Sequence, residues 1–326
     1  MRAGTSTSRS IAALGAPIAL AGCNRRQSAL APFGEDAARI ETMTIVMVAG
    51  AVAIALAMAG LMLWAMRAPE GRLGLRGGER LILGLGGAVP AALLLALLAY
   101  SLPAMRPRAV AAGDLAVTVE GEQFWWRVRY APPGAAPVTT ANEVRLPVGR
   151  TVLFRLRGGD VIHSFWIPGL AGKMDMIPGR ETMLAVRATE PGVFRGQCAE
   201  FCGLSHALMA FDVVAMPPAA FDAWLAGERR DARAAADPGA ALFARHGCGG
   251  CHTVRGTGAA GGIGPDLTHI GARRSIAAGT LAPGEANLAA FIRHPERFKP
   301  GALMPAFPHI AEADARLIAR YLGGLR

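Results

Sequence analysis

Residues 198–209 read Cys198-Ala-Glu-Phe-Cys202-Gly-Leu-Ser-His206-Ala-Leu-Met209. Two thiols, an imidazole and a thioether within one short stretch are soft and borderline donors, the set that copper prefers. Upstream, Asp160-Val-Ile-His163-Ser-Phe-Trp-Ile-Pro supplies a second imidazole at His163. A mononuclear blue-copper site takes two histidines, one cysteine and a weak methionine. The second cysteine therefore points to two metals bridged by two thiolates, an arrangement that spreads one transferred electron over both ions. The competing reading is a Cys198–Cys202 disulfide with His206 as a surface residue.

Around this stretch, residues 113–222 alternate in the manner of strands and are punctuated by Gly and Pro. Examples are Ala116-Val-Thr-Val-Glu, Thr151-Val-Leu-Phe-Arg-Leu and Met183-Leu-Ala-Val-Arg. Short strands with turn signals at this spacing predict a β-sandwich or barrel.

The N-terminal third is different in kind. Arg2 and Arg9, an apolar run and then Leu20-Ala21-Gly22-Cys23 make residues 1–22 an export signal. The Leu-Ala-Gly-Cys end resembles a bacterial lipobox, with Cys23 the lipid-modified residue; ordinary cleavage nearby with an incidental cysteine is the alternative. Apolar runs at 43–66 and 81–102 are each long enough to cross a hydrocarbon core of about 30 Å. The loop between them carries Arg67, Arg72, Arg76 and Arg80. The positive-inside rule places that loop in the cytoplasm and everything after about residue 105 outside. Glu79 is expected as an interfacial loop charge.

Past a polar joint of helical propensity at 223–237 lies a second soluble unit, 238–326, containing Cys248-Gly-Gly-Cys251-His252. C-x-x-C-H is the signature of c-type haem attachment, with the histidine on iron. No second C-x-x-C pair follows to complete a zinc site. His246, His269, His294 and His309 are rival axial ligands, and Leu317-Ile-Ala-Arg-Tyr-Leu is an amphipathic terminal helix that should cross the first helix of this unit.

The chain of 326 residues is 52% hydrophobic with a net charge of +10. The arginines are scattered, with no aromatic-basic stripe, so nucleic acid is not expected as a partner. An anionic membrane surface or an acidic protein suits the charge better.

On the C-x-E-x-C-x-x-x-H-x-x-M pattern, residues 40–222 resemble cytochrome c oxidase subunit II. Gly264-Pro265-Asp266-Leu267 and Met304-Pro305, with C-x-x-C-H, resemble a class I cytochrome c. The resemblance implies a multi-domain membrane protein: a two-helix transmembrane hairpin, an all-β cupredoxin Greek-key barrel, and an all-α cytochrome c domain. It implies a dinuclear copper centre (CuA) on His163, Cys198, Cys202, His206, Met209 and the Glu200 carbonyl. The Glu200 carboxylate matches a position that holds magnesium shared with subunit I. A covalent haem c would sit on Cys248 and Cys251, with His252 and Met304 axial and Pro265 against the proximal histidine.

The implied function is subunit II of a bacterial oxidase in the inner membrane, its copper and haem domains on the periplasmic side. Electrons would pass from a cytochrome c or other donor through haem c and copper to subunit I, where oxygen is reduced with proton translocation. Subunits I and III are the implied partners, and no catalytic residue is expected in this chain. The family's electron-entry tryptophan is here Phe124, in Gln123-Phe124-Trp125-Trp126. Entry through Trp125 or Trp126 and simple packing of these aromatics both remain open. The tether makes the haem-to-copper encounter intramolecular, at an effective concentration in the millimolar range. A nitrous-oxide reductase would need a large histidine-rich domain, absent from this sequence. Copper-delivery proteins and quinol-oxidase relatives lack the full ligand set.

Overall fold

The computed structural model describes residues 24–69, 75–105, 114–232 and 237–326. The expected signal, 1–22, and Cys23 lie outside the described residues.

Helix α1 (Glu35–Arg67) begins well before the expected 43–66 span. Its first turn is moored to the β domain: Ala37 is buried and its N–H donates to the Leu170 carbonyl, while Glu35 N–H donates to Arg187 O. The second helical run is also longer than its apolar core. It comprises α2 (Leu75–Leu83), a π-helical turn (Gly84–Ala88) and α3 (Val89–Ser101). Arg76, Glu79 and Arg80 thus stand on a helix rather than in a loop, because a backbone entering lipid must satisfy its own hydrogen bonds. Pro90 supplies the reason for the wider turn: a proline inside a helix cannot bond to, and clashes with, the carbonyl four residues back. Both runs are long and apolar enough to cross a membrane.

Ten strands form the β domain: β1 (Leu115–Glu122), β2 (Trp125–Ala131), β3 (Val138–Ala141), β4 (Glu143–Pro147), β5 (Val152–Gly158), β6 (His163–Trp166), β7 (Met174–Met176), β8 (Thr182–Val186), β9 (Gly192–Cys198) and β10 (Ala210–Met216). They pair as two five-stranded sheets, ordered β3-β2-β1-β5-β8 and β4-β10-β9-β6-β7. Alternate residues of β1 and β2 face inward, and Val117, Val119, Trp126, Tyr130, Phe154 and Phe165 are fully buried between the sheets. Phe165 stacks on Phe211 at 4.8 Å, with the Trp126 ring edge-on to both.

The packing of the β domain runs past 222 into the first part of the expected joint of 223–237. Helix α4 (Pro218–Glu228) buries Phe221 and Leu225 in the β core, and Trp224 meets Tyr130 edge-on at 5.1 Å. Apolar residues at a spacing of four share a helix face, so the helix covers the barrel instead of leaving it. Ala232 then belongs to the second core, its N–H donating to Arg255 O.

The last unit is helical: α5 (Pro238–Arg245), α6 (Glu285–Arg293), α7 (Pro295–Phe298) and α8 (Glu312–Gly324). The terminal helix crosses the first as expected, with Phe243 and Tyr321 rings 5.9 Å apart. Gly239 permits this approach, since a Cβ there would stand 2.8 Å from Tyr321 Cβ.

Candidate metal centre

Strand β9 ends on Cys198 and β10 starts at Ala210, so residues 199–209 form the connecting loop. Its neck is closed by Cys198 N–H donating to Met209 O at 2.9 Å. Within it His206 N–H donates to Gly203 O, and Gly203 takes φ +127°, a left-handed backbone that favours glycine. Strand β6, paired beside β9, brings His163 against the neck.

The donors converge. Cys198 Sγ lies 3.8 Å from His163 Nδ1, 3.8 Å from Cys202 Sγ and 3.2 Å from the Glu200 carbonyl oxygen. Cys202 Sγ lies 3.7 Å from both His206 Nδ1 and Met209 Sδ. Both cysteines are free and buried, so no disulfide joins them. The arrangement has two sulfurs at its middle, each with its own imidazole. A thioether and a carbonyl flank them. Hydrogen bonding from Cys202 holds the Cys198 thiol far below the usual thiol range, with His163 adding to the effect. The same partnership, reinforced by burial, pushes Cys202 up. Two thiols in contact cannot both ionise cheaply without a cation, and a bound metal removes that conflict. The donor set therefore fits copper.

Two residues that the sequence did not single out hold this geometry. Asp160 Oδ1 accepts from His163 Nε2 at 2.8 Å, which turns Nδ1 toward the cysteines. Burial alone would lower the His163 pKa, but bonds to Cys198 and Asp160 outweigh it and the net shift is upward. Asp160 also accepts from the Gln123 N–H at 2.7 Å, and the Gln123 amide donates to Cys202 O at 2.5 Å. The spacing of three between Asp160 and His163 was the available signal. Gly121 completes the seat, for a Cβ there would come within 2.9 Å of the His163 ring.

Of the three expected entry aromatics, Trp126 is fully buried with its ring 6.2 Å from that of His163. Trp125 is half-buried under Arg127, whose guanidinium stands 4.7 Å from its ring. Phe124 is buried, wedged beneath Gly203 of the copper loop and Gly301 of the helical unit. The Glu200 side chain is exposed.

In the helical unit Cys248 and Cys251 are free and half-buried, flanking a single 3-10 turn. His252 N–H donates to Cys248 O, and His252 Nδ1 donates to the Pro265 carbonyl at 2.8 Å. That bond commits Nδ1 and leaves Nε2 as the acceptor available to iron. Burial lowers the His252 pKa, which keeps the ring neutral and ligand-competent. Gly264 lies against the ring, where a Cβ would be 2.6 Å from Cε1. Met304 packs at the edge of the second core. The rival histidines have other contacts: His269 Nε2 donates to Arg230 O, His294 faces Glu296, and the rings of His246 and His309 pair 6.2 Å apart. The residues present fit a haem held by two thioethers.

The fold defines a class: a protein with two membrane-length helices, a cupredoxin-like β domain and a helical cytochrome c-like domain. Residues 134–216 match the family model of the cytochrome c oxidase subunit II periplasmic domain, and residues 236–326 that of cytochrome c. The two soluble units are thus similar to the cytochrome c oxidase subunit II periplasmic domain and to cytochrome c, respectively. Cytochrome c oxidase subunit 2 of Alkalihalophilus pseudofirmus is 42% identical over 214 residues, covering 64% of this chain and 61% of that one. The Bacillus subtilis protein of the same name is 33% identical over 227 residues, covering 65% and 62%. The chain therefore spans about three fifths of these relatives' length. Among solved structures, the periplasmic domain of subunit II of cytochrome oxidase from Bradyrhizobium japonicum is 29% identical, with a TM-score of 0.35. That match covers 37% of this chain and 97% of that one.

Proposed function

We propose that this chain is the electron-accepting subunit II of a bacterial haem-copper oxidase, with its own covalent haem c upstream of a CuA centre. The observation that carries this reading is the convergence of His163, Cys198, Glu200 O, Cys202, His206 and Met209 at separations of 3.2–3.8 Å. Bound haem c and the copper pair would supply one-electron chemistry, passing electrons from a cytochrome c or other donor to subunit I.

The residues of this chain bind, orient and exclude water. Cys198 and Cys202 would hold the copper pair at the middle of the site, with His163 beside Cys198 and His206 beside Cys202. Met209 and the Glu200 carbonyl would complete the donor set. Asp160 fixes the His163 tautomer, the usual way an outer carboxylate serves a ligating imidazole. Cys248 and Cys251 would hold the porphyrin and His252 would bind the iron. Met304 would be the iron's other ligand, and His/Met ligation would raise the potential and favour electron transfer over ligand chemistry. The exposed Glu200 carboxylate is available to a magnesium ion shared with subunit I. Oxygen reduction and proton translocation belong to subunit I, and subunit III completes the complex.

The membrane is the bacterial inner membrane, crossed twice, with both soluble domains on the periplasmic face and Cys23 acylated. Mooring of the α1 start to the β domain, and the arginines between the helices, support that orientation.

The test is spectroscopic. The purified complex should show the EPR signal of a mixed-valence copper pair together with a low-spin His/Met haem. Cys202→Ser should abolish the two-copper signal and leave the haem spectrum in place. A single-copper signal in the unaltered protein would overturn the reading.

A further inference from the structure

The haem domain does not hang from its tether. It is seated on the copper loop. Ser205, fully buried beside His206, donates to Pro300 O at 2.7 Å. Ala210 N–H, one residue past Met209, donates to Ala278 O at 3.0 Å, and Arg195 donates to Gly279 O at 3.0 Å. The receiving segment is unusual. Ala277, Ala278 and Gly279 have φ values of 52°, 55° and 77°, three left-handed residues in succession, of which two are not glycine. Such backbone persists only where its surroundings hold it in place. Each of the three carbonyls is indeed met by a donor.

The third of those donors is Lys299, only 3% exposed. Its amine donates to Ala277 O at 3.2 Å and, across the domain boundary, to Leu208 O at 2.9 Å. Leu208 lies between His206 and Met209, and its carbonyl also accepts from Thr280 Oγ1 at 3.1 Å. A buried lysine is uncommon because desolvating an amine is costly unless its donors are used. Here the amine's two bonds go to main-chain carbonyls, one on each domain.

We propose that Lys299 is a positioning residue for haem-to-copper electron transfer: its amine clamps the copper-loop carbonyl of Leu208 to the left-handed segment of the haem domain. The inference rests on the function proposed above. The step it positions is the loss of one electron by ferrous haem and its gain by the oxidised copper pair, with no bond made or broken and no proton moved. Clamped in this way, the two centres react from one fixed geometry and need no diffusive encounter.

The experiment uses the full chain in the purified complex. An electron is injected into the haem by a ruthenium photoreductant, and its arrival at copper is followed optically in buffers of increasing sucrose. The unaltered protein should show a single rate independent of viscosity. Lys299→Met should slow the transfer roughly tenfold, the scale of one lost buried hydrogen bond, and make it viscosity-dependent. The copper EPR and haem spectra should stay unchanged. Thr280→Val, a milder cut at the same carbonyl, should act in the same direction by roughly threefold. An unaltered rate in Lys299→Met overturns the proposal, as does a slowed rate accompanied by a changed copper EPR signal, which would make Lys299 part of the copper site's own scaffold. Should Lys299→Met fail to assemble, an unaltered rate in Thr280→Val overturns it alone. Absence of the two-copper or haem signal in the unaltered protein would instead overturn the functional reading.

Discussion

In the proposed copper site, Asp160 stands behind a donor and not among the donors. Its carboxylate accepts from His163 Nε2 and from the N–H groups of Gln123 and Val161. Burial would raise its pKa, but these three donors together hold it below the usual range, so it stays ionised where His163 needs an acceptor. Asp160→Asn keeps the shape but offers an amide in place of a carboxylate. It should weaken copper retention by roughly 10–100-fold, as losses of outer-shell partners to ligating histidines do. Titration with a copper chelator, followed by the EPR signal, checks this. Retention equal to the unaltered protein would show that packing against Gly121 alone orients the ring.

At the scale of elements, the two sheets are tied together by Tyr130. Strand β2 places its ring in the core, and its hydroxyl donates to Arg145 O while accepting from Arg145 N–H, at 2.9 and 2.7 Å. Strand β4 is the edge of its sheet, so these backbone groups of Arg145 have no strand partner on that side. Burial pushes the Tyr130 pKa far up, and the phenol stays protonated as this double role requires. Tyr130→Phe should cost about 1–3 kcal/mol, because a buried donor and acceptor are orphaned together. The melting temperature should fall by several degrees with the copper EPR signal intact. A loss of copper at unchanged melting temperature would contradict a purely structural tie.

At the scale of the whole molecule, tethering and docking make different forecasts. The expected joint of 223–237 is largely taken up by helix α4 and by the anchoring of Ala232, leaving residues 233–236 between the described parts of the two units. If the tether alone set the encounter rate, lengthening it would slow haem-to-copper transfer, since effective concentration falls roughly as the −3/2 power of linker length. Docking through Lys299, Ser205 and Ala210 makes the rate nearly indifferent to linker length. Inserting a flexible Gly/Ser segment after residue 233 should leave the rate within about twofold, because the domain stays docked although each doubling of length costs about 0.6 kcal/mol in closure. Flash photoreduction reads this directly, and a rate falling steeply with insert length would mark an undocked domain. Phe124, at the position that the resemblance assigns to electron entry, is buried against Gly301 of the helical unit.

Much of this was legible in the residues themselves. Ligand chemistry is local: C-x-E-x-C-x-x-x-H-x-x-M and C-x-x-C-H crowd their donors into single loops, so spacing alone announces them. Membrane-length apolar runs and alternating strands are likewise written in one dimension. Helix ends were not, because the start of α1 and the reach of α4 depend on which barrel surface they cover. The clamp on the copper loop was illegible for a stronger reason. Lys299 lies 91 residues from Leu208, and nothing in a lysine's neighbours along the chain tells it from a surface charge. Only the packing of one domain on the other removes its water and aims its amine at two carbonyls. The sequence by itself determined which chemistry the loops can hold. Tertiary structure decided how the two centres face each other, because that depends on burial and on contacts between segments remote along the chain.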